Sequence, residues 1–354
     1  MKRILYITAF PPNQKTGGQT FSVNAINELS KSYSIDLYYF SYPNHTCEIR
    51  REGNITSITK CEIRKFGFLK KIWIHPIFTR RFNNKYLKKI QSLSSNYDIL
   101  YFDFSQVAIY SLYINHPNKV LRIHDVMYQK FSRKNYFLAK WVIKSEKKIL
   151  KSFSKVFVPS IKDVDLLKTV YNIKALYTNE YLKSVIFPCY LEQKNTFVFY
   201  GYWRRSENTE GLIWFIEEVL PLLNSKLKII VIGGGMSNII LEKYLVPNGI
   251  DYMGFVQNPL NIIMGSSAVL VPLFHGAGIK VKVIDSFTVG TPVIGTELAF
   301  EGLPNIEELS YCVNNKTEFA KIVNDFIPLS YEEKINKADT FNSIYNKHHL
   351  LEQL

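Results

Sequence analysis

Two lysines follow a glycine-rich turn in the second half of the chain, in a pattern that suits an anion. An apolar run ends at Pro272, the turn His275-Gly-Ala-Gly278 follows, and Lys280 and Lys282 come directly after it. Main-chain N–H groups at the start of a helix attract anions, and small residues allow a phosphate to approach the backbone. The spacing predicts a phosphate site at the amino end of a helix beginning near residue 280. Asp285 lies one turn further along, where a carboxylate can accept hydrogen bonds from hydroxyl groups.

A second group of such residues lies in the first half of the chain. The apolar run Arg3–Ala9 is followed by prolines and then by Gly17 and Gly18, and a later apolar run ends at His124. Glycine amides can come close to an anion, and a histidine that ionises near neutral pH can contact a sugar or stabilise charge. Simpler interpretations stay open: an ordinary turn at the glycines, a histidine hydrogen-bonded to Asp125, and a solvated helix face for the lysines. The triple glycine at residues 233–235 is interpreted as a tight turn.

Strands and helices alternate along both halves, and this alternation would position these residues. Short apolar runs that alternate with amphipathic helices are typical of parallel sheets covered by helices on both faces. In the first half we expect the strands Arg3–Ala9, Ser34–Phe40, Asp98–Phe102, Lys119–Ile123 and Lys155–Pro159, and the helices Thr20–Lys31 and Tyr136–Ser152. In the second half we expect the strands Thr196–Tyr200, Lys228–Ile232, Ala268–Pro272 and Thr291–Gly295, and the helices Glu210–Leu223 and Lys282–Val289. Open parallel sheets bind ligands at the carboxyl ends of their strands, where both groups of residues lie.

The length and the charge distribution predict two domains. At 354 residues the chain can build two cores. We expect an α/β protein of two Rossmann-like domains with parallel sheets facing across a cleft: residues 1–188, residues 189–330, and a helical segment 331–354 that can cross back to the first domain. Residues 1–190 hold 31 Lys and Arg against 12 Asp and Glu, whereas residues 191–354 hold 13 against 18. Such a change of sign is typical of domains with different partners.

The cysteines and the apolar runs indicate the compartment. The four cysteines lie far apart without a CxxC pair, so we expect a reducing compartment and neither a disulfide framework nor a zinc site. The first apolar run stops at Pro11 and Pro12, too early for a signal peptide, and no run approaches the ~18 apolar residues of a membrane span. We expect a cytoplasmic protein, soluble or peripheral on the inner face of the cytoplasmic membrane.

A longer pattern surrounds the two lysines. Gly276, Gly278, Lys280 and Lys282 are followed in order by Gly290-Thr-Pro-Val-Ile294 and Glu301-Gly-Leu303. This order and spacing resemble the donor-binding region of the retaining, family-4 glycosyltransferases, which have the GT-B fold. Weaker similarity covers the Gly17-Gly18 loop, residues 122–125, 160–163, 201–221 and 254–256, so that the resemblance extends over most of the chain.

The resemblance implies a nucleotide-sugar donor and gives roles to individual residues. The implied donor-binding residues are Gly17, Gly18, Gly201, Arg204, Phe255, Val256, Gly276, Ala277, Gly278, Ile279 and Asp285, and the implied catalytic residues are His124, Lys280, Lys282 and Arg205. Cations and glycine amides would stabilise the leaving diphosphate, so neither a metal nor another cofactor is expected. The chain departs from the family at three places: Asp285 replaces a glutamate, Ala277 replaces a second glutamate, and Arg204-Arg205 replaces a spaced Arg and Lys pair.

One short motif could indicate a metal. Asp163-Val-Asp165 is similar to the DxD metal signature of the other large glycosyltransferase fold. That signature belongs on a loop, whereas Ser160, three residues before Asp163, predicts the start of a helix with a serine N-cap. We therefore expect no metal site here.

Two basic segments in the first half point to a partner. Residues 63–97 contain no acidic residue, and Lys130–Lys155 has nine basic residues against the single acid Glu146. Tryptophan and phenylalanine interleave with these cations, which suits an anionic membrane surface. A solvated basic helix is the alternative, and no nucleic-acid-binding module is present. A membrane surface would suit a lipid-linked acceptor.

Three functions fit these observations. The first is transfer of a sugar from a nucleotide sugar to a glycan or lipid-linked acceptor, as in surface polysaccharide or lipopolysaccharide assembly. The second is a nucleotide-sugar epimerase of GT-B fold, which would not need the basic first half. The third is a non-catalytic GT-B-like binding subunit, which the departures at Ala277 and Asp285 leave open. Release of nucleotide from a donor would separate the third function from the first.

Overall fold

We describe a computed structural model that covers residues 1–13, 17–43, 49, 53–63, 73–132, 136–178, 195–224, 227–345 and 350–354. The chain divides into two compact units, Met1–Leu182 with His348–Leu354, and Lys183–Lys347. The expected domain boundary at residue 188 lies outside the described residues. Each unit is described by itself.

The first unit is built on a seven-stranded parallel sheet. Its strands are β1 (Lys2–Thr8), β2 (Tyr33–Ser41), β3 (Ile55–Glu62), β4 (Ile99–Asp103), β5 (Lys119–Arg122), β6 (Lys155–Val158) and β7 (Leu176–Tyr177), in the spatial order β3-β2-β1-β4-β5-β6-β7. Its helices are α1 (Gly17–Leu29), α2 (Pro76–Thr79), α3 (Asn84–Leu93), α4 (Met127–Ser132), α5 (Tyr136–Leu150) and α6 (Ile161–Leu166). A 3₁₀ segment covers Ser105–Tyr113, and one wide helical turn, Leu167–Tyr171, extends α6.

Alternating side chains of the central strand β1 enter two different hydrophobic clusters. Leu5 and Ile7 belong to the larger cluster, whereas Ile4 and Tyr6 pack with Ala25 of α1 in the other. Successive side chains of a strand point to opposite faces, and a parallel sheet covered on both faces needs apolar residues on both. The continuous apolar run of β1 is thereby explained.

The second unit is built on a six-stranded parallel sheet. Its strands are β8 (Thr196–Tyr200), β9 (Lys228–Ile232), β10 (Asp251–Gly254), β11 (Ala268–Val271), β12 (Val293–Gly295) and β13 (Ser310–Cys312), in the spatial order β10-β9-β8-β11-β12-β13. Its helices are α7 (Ser206–Trp214), α8 (Asn238–Ile240), α9 (Leu260–Gly265), α10 (Val281–Thr288), α11 (Lys316–Asn324) and α12 (Tyr331–Tyr345). Wide helical turns extend α7 over Phe215–Val219 and α8 over Leu241–Leu245.

Helix α12 packs on α10 although its sequence is mostly polar. The ring of Phe341 meets the ring of Phe287 edge to face, with 5.4 Å between their centroids. The buried Nζ of Lys334 donates to the carbonyl oxygens of Met264 and Ser266, each at 2.6 Å. These carbonyls end α9, so the lysine satisfies acceptors that a helix end leaves free. The last helix, α13 (Leu350–Gln353), belongs to the first unit, where its Gln353 carbonyl accepts from Lys155.

The expectation of an α/β protein with two parallel sheets is confirmed, with strand bounds within two residues. The expected helix at 210–223 begins earlier, as α7 at Ser206, and the first helix begins at Gly17 rather than Thr20. The strands β3, β7, β10 and β13 were not predicted. They are the four edge strands of the two sheets. Most of their residues are at least partly exposed, so these strands lack the buried apolar run that marks a central strand.

Candidate active site

The carboxyl ends of β1, β4 and β5 bring three polar residues of the first unit into register. Thr8 pairs with Asp103, and Asp103 pairs with Arg122 on its other side. His124 follows β5 by two residues, and α1 begins after β1 at Gly17. The sheet therefore gathers at one edge residues that are far apart in sequence, as expected of an open parallel sheet.

His124 is held by a carboxylate that the sequence analysis did not identify. Its Nε2 lies 2.8 Å from Oδ1 of Asp103, whose other oxygen, Oδ2, accepts from the Ser22 hydroxyl at 2.5 Å. Burial acts to raise the pKa of Asp103, but His124, Arg122 and Ser22 outweigh it, so that this pKa lies below its ordinary value. Asp103 is thus ionised and accepts the proton of Nε2. The interpretation of His124 as hydrogen-bonded to Asp125 is wrong, because the ring nitrogen engages Asp103 instead.

Phe104 limits the movement of His124. The two rings are stacked with 3.7 Å between centroids and 10° between planes. Phe104 has φ of 76°, in the left-handed region that side chains rarely adopt. This backbone conformation costs free energy, which favourable contacts in the surrounding fold must offset.

The predicted glycine loop does meet His124. A Cβ on Gly18 would lie 3.2 Å from the Phe104 ring and 3.8 Å from Nδ1 of His124. A side chain at this position would be in tight contact with the aromatic ring. Both Gly17 and Gly18 lie in the first turn of α1 rather than in a loop before it. The structure therefore brings Gly18 and His124 together, with the Nδ1 side of the imidazole toward the start of α1.

In the second unit, Lys282 and Gly201 are neighbours. A Cβ on Gly201 would lie 3.1 Å from Nζ of Lys282 and 2.8 Å from Nδ2 of Asn208. The Lys282 amine donates to Oδ1 of Asn208 at 2.7 Å. Burial, together with the charges of Arg205 and Lys280, lowers the pKa of Lys282 to about 7, and the charge of Glu207 opposes this shift.

Lys280 is held in a different way from Lys282. Its side chain is about nine-tenths buried, and Nζ lies 2.5 Å from the Gly278 carbonyl and 3.5 Å from a carboxylate oxygen of Glu301. It occupies the N-cap position of α10, and Lys282 is the second residue of that helix. The predicted helix start near residue 280 is confirmed, and the two lysines have different surroundings there.

The turn before α10 has the backbone that its glycines allow. Gly276 has φ of 130° and Gly278 φ of 73°, and none of the residues that the structure describes has an atom within 4 Å of a Cβ built on Gly276. Ala277 stands between them, and Ile279 leads to the N-cap. The open space beside Gly276 leaves room for a ligand close to the backbone.

The first residue of this turn, His275, received no role from the sequence. Its Nε2 lies 2.6 Å from Oε2 of Glu210 on α7, and the neighbouring Phe274 packs edge to face on Trp214. Helix α7 thus supports both the turn and Lys282. A signal existed in the sequence, since His275 directly precedes the glycines.

Asp285 has a protein partner. It is buried, 1% exposed, and it raises the pKa of the Tyr200 hydroxyl by its charge and by a hydrogen bond, after burial as the largest cause. The structure therefore places Asp285 against the last residue of β8. Its contact with a ribose stays a prediction.

The remaining predicted donor-binding residues follow neighbouring strands. Arg204 and Arg205 follow β8, and the Arg205 guanidinium is 60% exposed and 3.6 Å from Glu207. Phe255 and Val256 follow β10, with Phe255 exposed. Residues 233–235 form the predicted turn after β9; a Cβ on Gly233 would lie 1.8 Å from the Gly201 carbonyl oxygen. These residues lie at the same sheet edge as Gly201.

Within the described residues, no group of three or more His, Cys, Asp or Glu side chains is arranged to hold a metal ion. Ser160 is the N-cap of α6, and its hydroxyl accepts from the Asp163 amide, as predicted. Asp163 is buried in this cap. In the part of the chain that the structure describes, no helix is long and apolar enough to cross a membrane.

A family model and a curated relative match parts of the chain by sequence. The family described as Glycosyl transferases group 1 matches residues 194–327, within the second unit. An uncharacterized 44.6 kDa protein in the cps region of Klebsiella pneumoniae is 26% identical over 256 residues, which are 64% of this chain and 63% of that protein. The match thus spans less than two thirds of that relative.

Solved structures share the fold over nearly the whole chain. Sucrose-phosphate synthase from Thermosynechococcus elongatus is 13% identical with a TM-score of 0.73, covering 98% of this chain and 95% of that one. HepE from Anabaena in complex with UDP-glucose is 9% identical with a TM-score of 0.64, covering 98% of each chain. A TarM variant from S. aureus, in complex with fondaparinux, α-GlcNAc-glycerol and UDP, is 11% identical with a TM-score of 0.68, covering 98% and 96%. The chain thus shares the GT-B fold of these structures, and residues 194–327 match the family of group 1 glycosyl transferases.

Proposed function

We propose that the chain transfers a sugar from a nucleoside-diphosphate sugar to a glycan or lipid-linked acceptor, in the assembly of a surface polysaccharide. The observation that carries this proposal is the Lys282 amine, placed between Gly201 and the start of α10 in the unit that matches the group 1 family. A lysine with a pKa near 7 gains a proton readily when a diphosphate approaches.

The second unit supplies the groups that the leaving diphosphate needs. Negative charge builds on the phosphate oxygen as the sugar bond breaks, and fixed cations and main-chain N–H groups lower that barrier. Lys282, the exposed guanidinium of Arg205 and the first amides of α10 take these roles in the proposal. We further propose that the anomeric configuration is retained and that no metal is needed, as the family resemblance implies.

In the first unit, we propose that His124 contacts the donor sugar or the developing charge. Asp103 and Phe104 fix its ring, so the imidazole needs no reorganisation when the substrate binds. Gly17 and Gly18 contribute amides of the first turn of α1.

The neighbours support a choice of donor and pathway. HepE is in complex with UDP-glucose and the TarM variant with UDP and a GlcNAc-glycerol, so we propose a UDP-sugar donor. The Klebsiella relative lies in a cps region, which favours a polysaccharide acceptor. Lipopolysaccharide assembly is the alternative pathway.

We also propose that the first unit lies on the anionic inner face of the cytoplasmic membrane. Three exposed lysines, Lys140, Lys144 and Lys148, follow one another along α5 at helical spacing, and the exposed Lys151 comes directly after the helix. Trp141 beside them is 37% exposed and packs against His75, near Trp73, which is 85% exposed. Lysines attract anionic lipids, and tryptophan rings suit the headgroup level. The basic residues Arg64, Lys65, Lys70 and Lys71, which prompted the same expectation, lie outside the described residues.

A nucleotide screen followed by turnover tests the activity. Thermal unfolding is measured with UDP, GDP, ADP and CMP, since a ligand at a hundredfold excess over its Kd stabilises the protein by about 2.7 kcal/mol. The proposal expects UDP to stand out, and UDP-sugar with a glycan acceptor to release UDP. Binding without any release of nucleotide would indicate the non-catalytic subunit, and conversion of the sugar without an acceptor would indicate the epimerase.

A further inference from the structure

Lys282 and Lys280, at the start of α10, have different partners, and the partner of Lys282 is Asn208. Lys280 is paired with the carboxylate of Glu301, whereas Lys282 donates to the neutral oxygen of Asn208. A carboxylate partner offsets the charge of a lysine, whereas a neutral amide leaves the amine able to take up a proton and to pair with another anion. The two amines therefore differ in what they can offer an anion.

Both ends of the Asn208 amide are engaged. Nδ2 donates to the carbonyl of Tyr202 at 2.9 Å, and Oδ1 accepts from Lys282 at 2.7 Å. The donor contact to a carbonyl fixes which end is oxygen, and that oxygen faces the lysine. Asn208 lies in the first turn of α7, so this helix connects the loop after β8 to the start of α10.

The Asn208 side chain is closely packed against the backbone of Gly201. A Cβ on Gly201 would lie 2.8 Å from Nδ2 of Asn208, closer than real contacts allow. Because Gly201 has no side chain, Asn208 can pack against the backbone there and reach Lys282. The resemblance covered this segment without giving Asn208 a role.

We propose that Asn208 is a positioning residue that holds the Lys282 amine for the diphosphate of the donor without neutralising it, so that donor binding adds one proton to Lys282. This rests on the proposed function. The proton comes from the solvent, and no covalent bond changes. The neutral amine donates to Asn208 before binding, and the ammonium can donate to Asn208 and to the phosphate together.

The charges that face the amine agree with this proposal. Arg205 from the loop before α7 and Lys280 from the start of α10 both disfavour a further cation, and Glu207 on α7 favours it more weakly than Arg205 opposes it. Tyr200 and Asp285 pair with each other nearby on β8 and α10. Burial and these charges together lower the pKa of Lys282 to about 7. The negative charge of a bound diphosphate would raise this pKa again.

Calorimetric titration with UDP tests the proton uptake. Heats of binding are measured from pH 6 to pH 8.5 in two buffers of different ionisation enthalpy, which gives the number of protons taken up. The wild-type protein should take up close to one proton at pH 8 and close to none at pH 6. UDP binding with no uptake across this range would refute the proposal and leave the proposed function standing.

Two variants of Asn208 separate positioning from a structural role. Asn208→Asp places a carboxylate on the amine, so UDP should bind at least ~10-fold more weakly and the uptake at pH 8 should disappear. Asn208→Ala should weaken binding but retain the uptake, because the positive charges of Arg205 and Lys280 still act on the amine. Asn261→Asp adds the same charge at an exposed position of the unit and should change neither quantity. Equal uptake in Asn208→Asp and wild type would contradict the proposal.

A measurement without nucleotide makes the outcome independent of the proposed function. The rate at which an amine-reactive reagent labels Lys282 is followed against pH by mass spectrometry. Labelling should rise with a midpoint near pH 7 in the wild type and at a higher pH in Asn208→Asp, since the carboxylate favours the ammonium. If this shift occurs while no nucleotide binds, the assignment of Asn208 holds and the proposed function fails. An identical midpoint in both proteins contradicts the role of Asn208.

Discussion

The Nε2 atom of His124 lies 2.8 Å from Oδ1 of Asp103, on a carboxylate that is fully buried at the end of β4. The stacked ring of Phe104 prevents the imidazole from turning away. One nitrogen is therefore committed to the protein, and the other faces Gly18 at the start of α1. The surroundings of His124 are thus set by two distant segments of the chain, Asp103 with Phe104 after β4 and Gly18 at the start of α1.

The first prediction concerns this pair. Asp103→Asn should lower kcat/KM roughly 10- to 100-fold, because a charge-assisted hydrogen bond worth about 1.5–3 kcal/mol is lost. Binding of UDP to the second unit should not change. Steady-state kinetics and calorimetry measure the two effects. In a His124→Gln background the same substitution should cost little more, and losses that simply add would show that Asp103 acts independently of His124. Asp165→Asn, at an exposed aspartate of the same unit, is the control.

The second prediction separates Lys282 from Lys280. Lys282→Ala should lower kcat by ~10²–10³, as when a donor to a developing negative charge is removed, without lowering the melting temperature. Lys280→Ala should lower the melting temperature, since it removes the cation that lies 3.5 Å from Glu301, whose side chain is about nine-tenths buried. Kinetics and thermal unfolding of both variants are compared with Lys316→Ala, which removes an exposed ion pair with Glu218. Equal losses of activity with unchanged stability in both variants would show that the lysines share one role.

The sequence was sufficient to predict those parts of the candidate site whose residues are close together along the chain. Gly276, Gly278 and the lysines lie within seven residues, and the strand before them is a continuous apolar run. Local pattern therefore predicted both the turn and the helix start. The same holds for Ser160, whose capping spacing is also local.

Contacts between distant segments could not be predicted in this way. Asp103 closes an apolar run and looks like any strand end, and only the pairing of β4 with β1 and β5 brings it to His124. Asn208 and Lys282 are 74 residues apart, and Glu210 and His275 are 65 apart. A single sequence shows spacing within segments, whereas these partners depend on strand order, which tertiary packing decides.

The third prediction uses Glu146, the buried acid of α5. Its carboxylate accepts from the amides of Met127 and Tyr128 at the start of α4 and from the Tyr171 hydroxyl. Burial raises its pKa from 4.5 to about 7 despite these donors. Between these two values the folded protein binds more protons than the unfolded chain, so the contribution of Glu146 to stability falls as pH rises from 4.5 to 7.

Glu146→Gln should remove this pH dependence. The difference in free energy of unfolding between pH 5 and pH 7.5 should be larger in the wild type than in the variant, by up to about 3 kcal/mol at ~1.4 kcal/mol per pKa unit. Denaturant titrations at both pH values measure it. Glu62→Gln is the control, since Glu62 is an exposed residue of the same unit. A variant with the wild-type pH dependence would show that Glu146 does not titrate in this range.

The last prediction concerns the stripe of exposed lysines on α5, which is formed by Lys140, Lys144 and Lys148. Replacing Lys144 and Lys148 together with glutamate should abolish binding to vesicles of anionic lipid, since each basic residue near such a surface contributes about 1 kcal/mol and each replacement also adds repulsion. Co-flotation with vesicles of phosphatidylglycerol and phosphatidylcholine measures it, with pure phosphatidylcholine as the reference. Lys228→Glu with Lys321→Glu makes the same change of charge at exposed positions of the second unit and should leave flotation intact. If both double variants lose binding equally, net charge rather than the stripe is responsible. If the wild-type protein floats with neither vesicle, α5 is a solvated basic helix and the acceptor must reach the enzyme from solution.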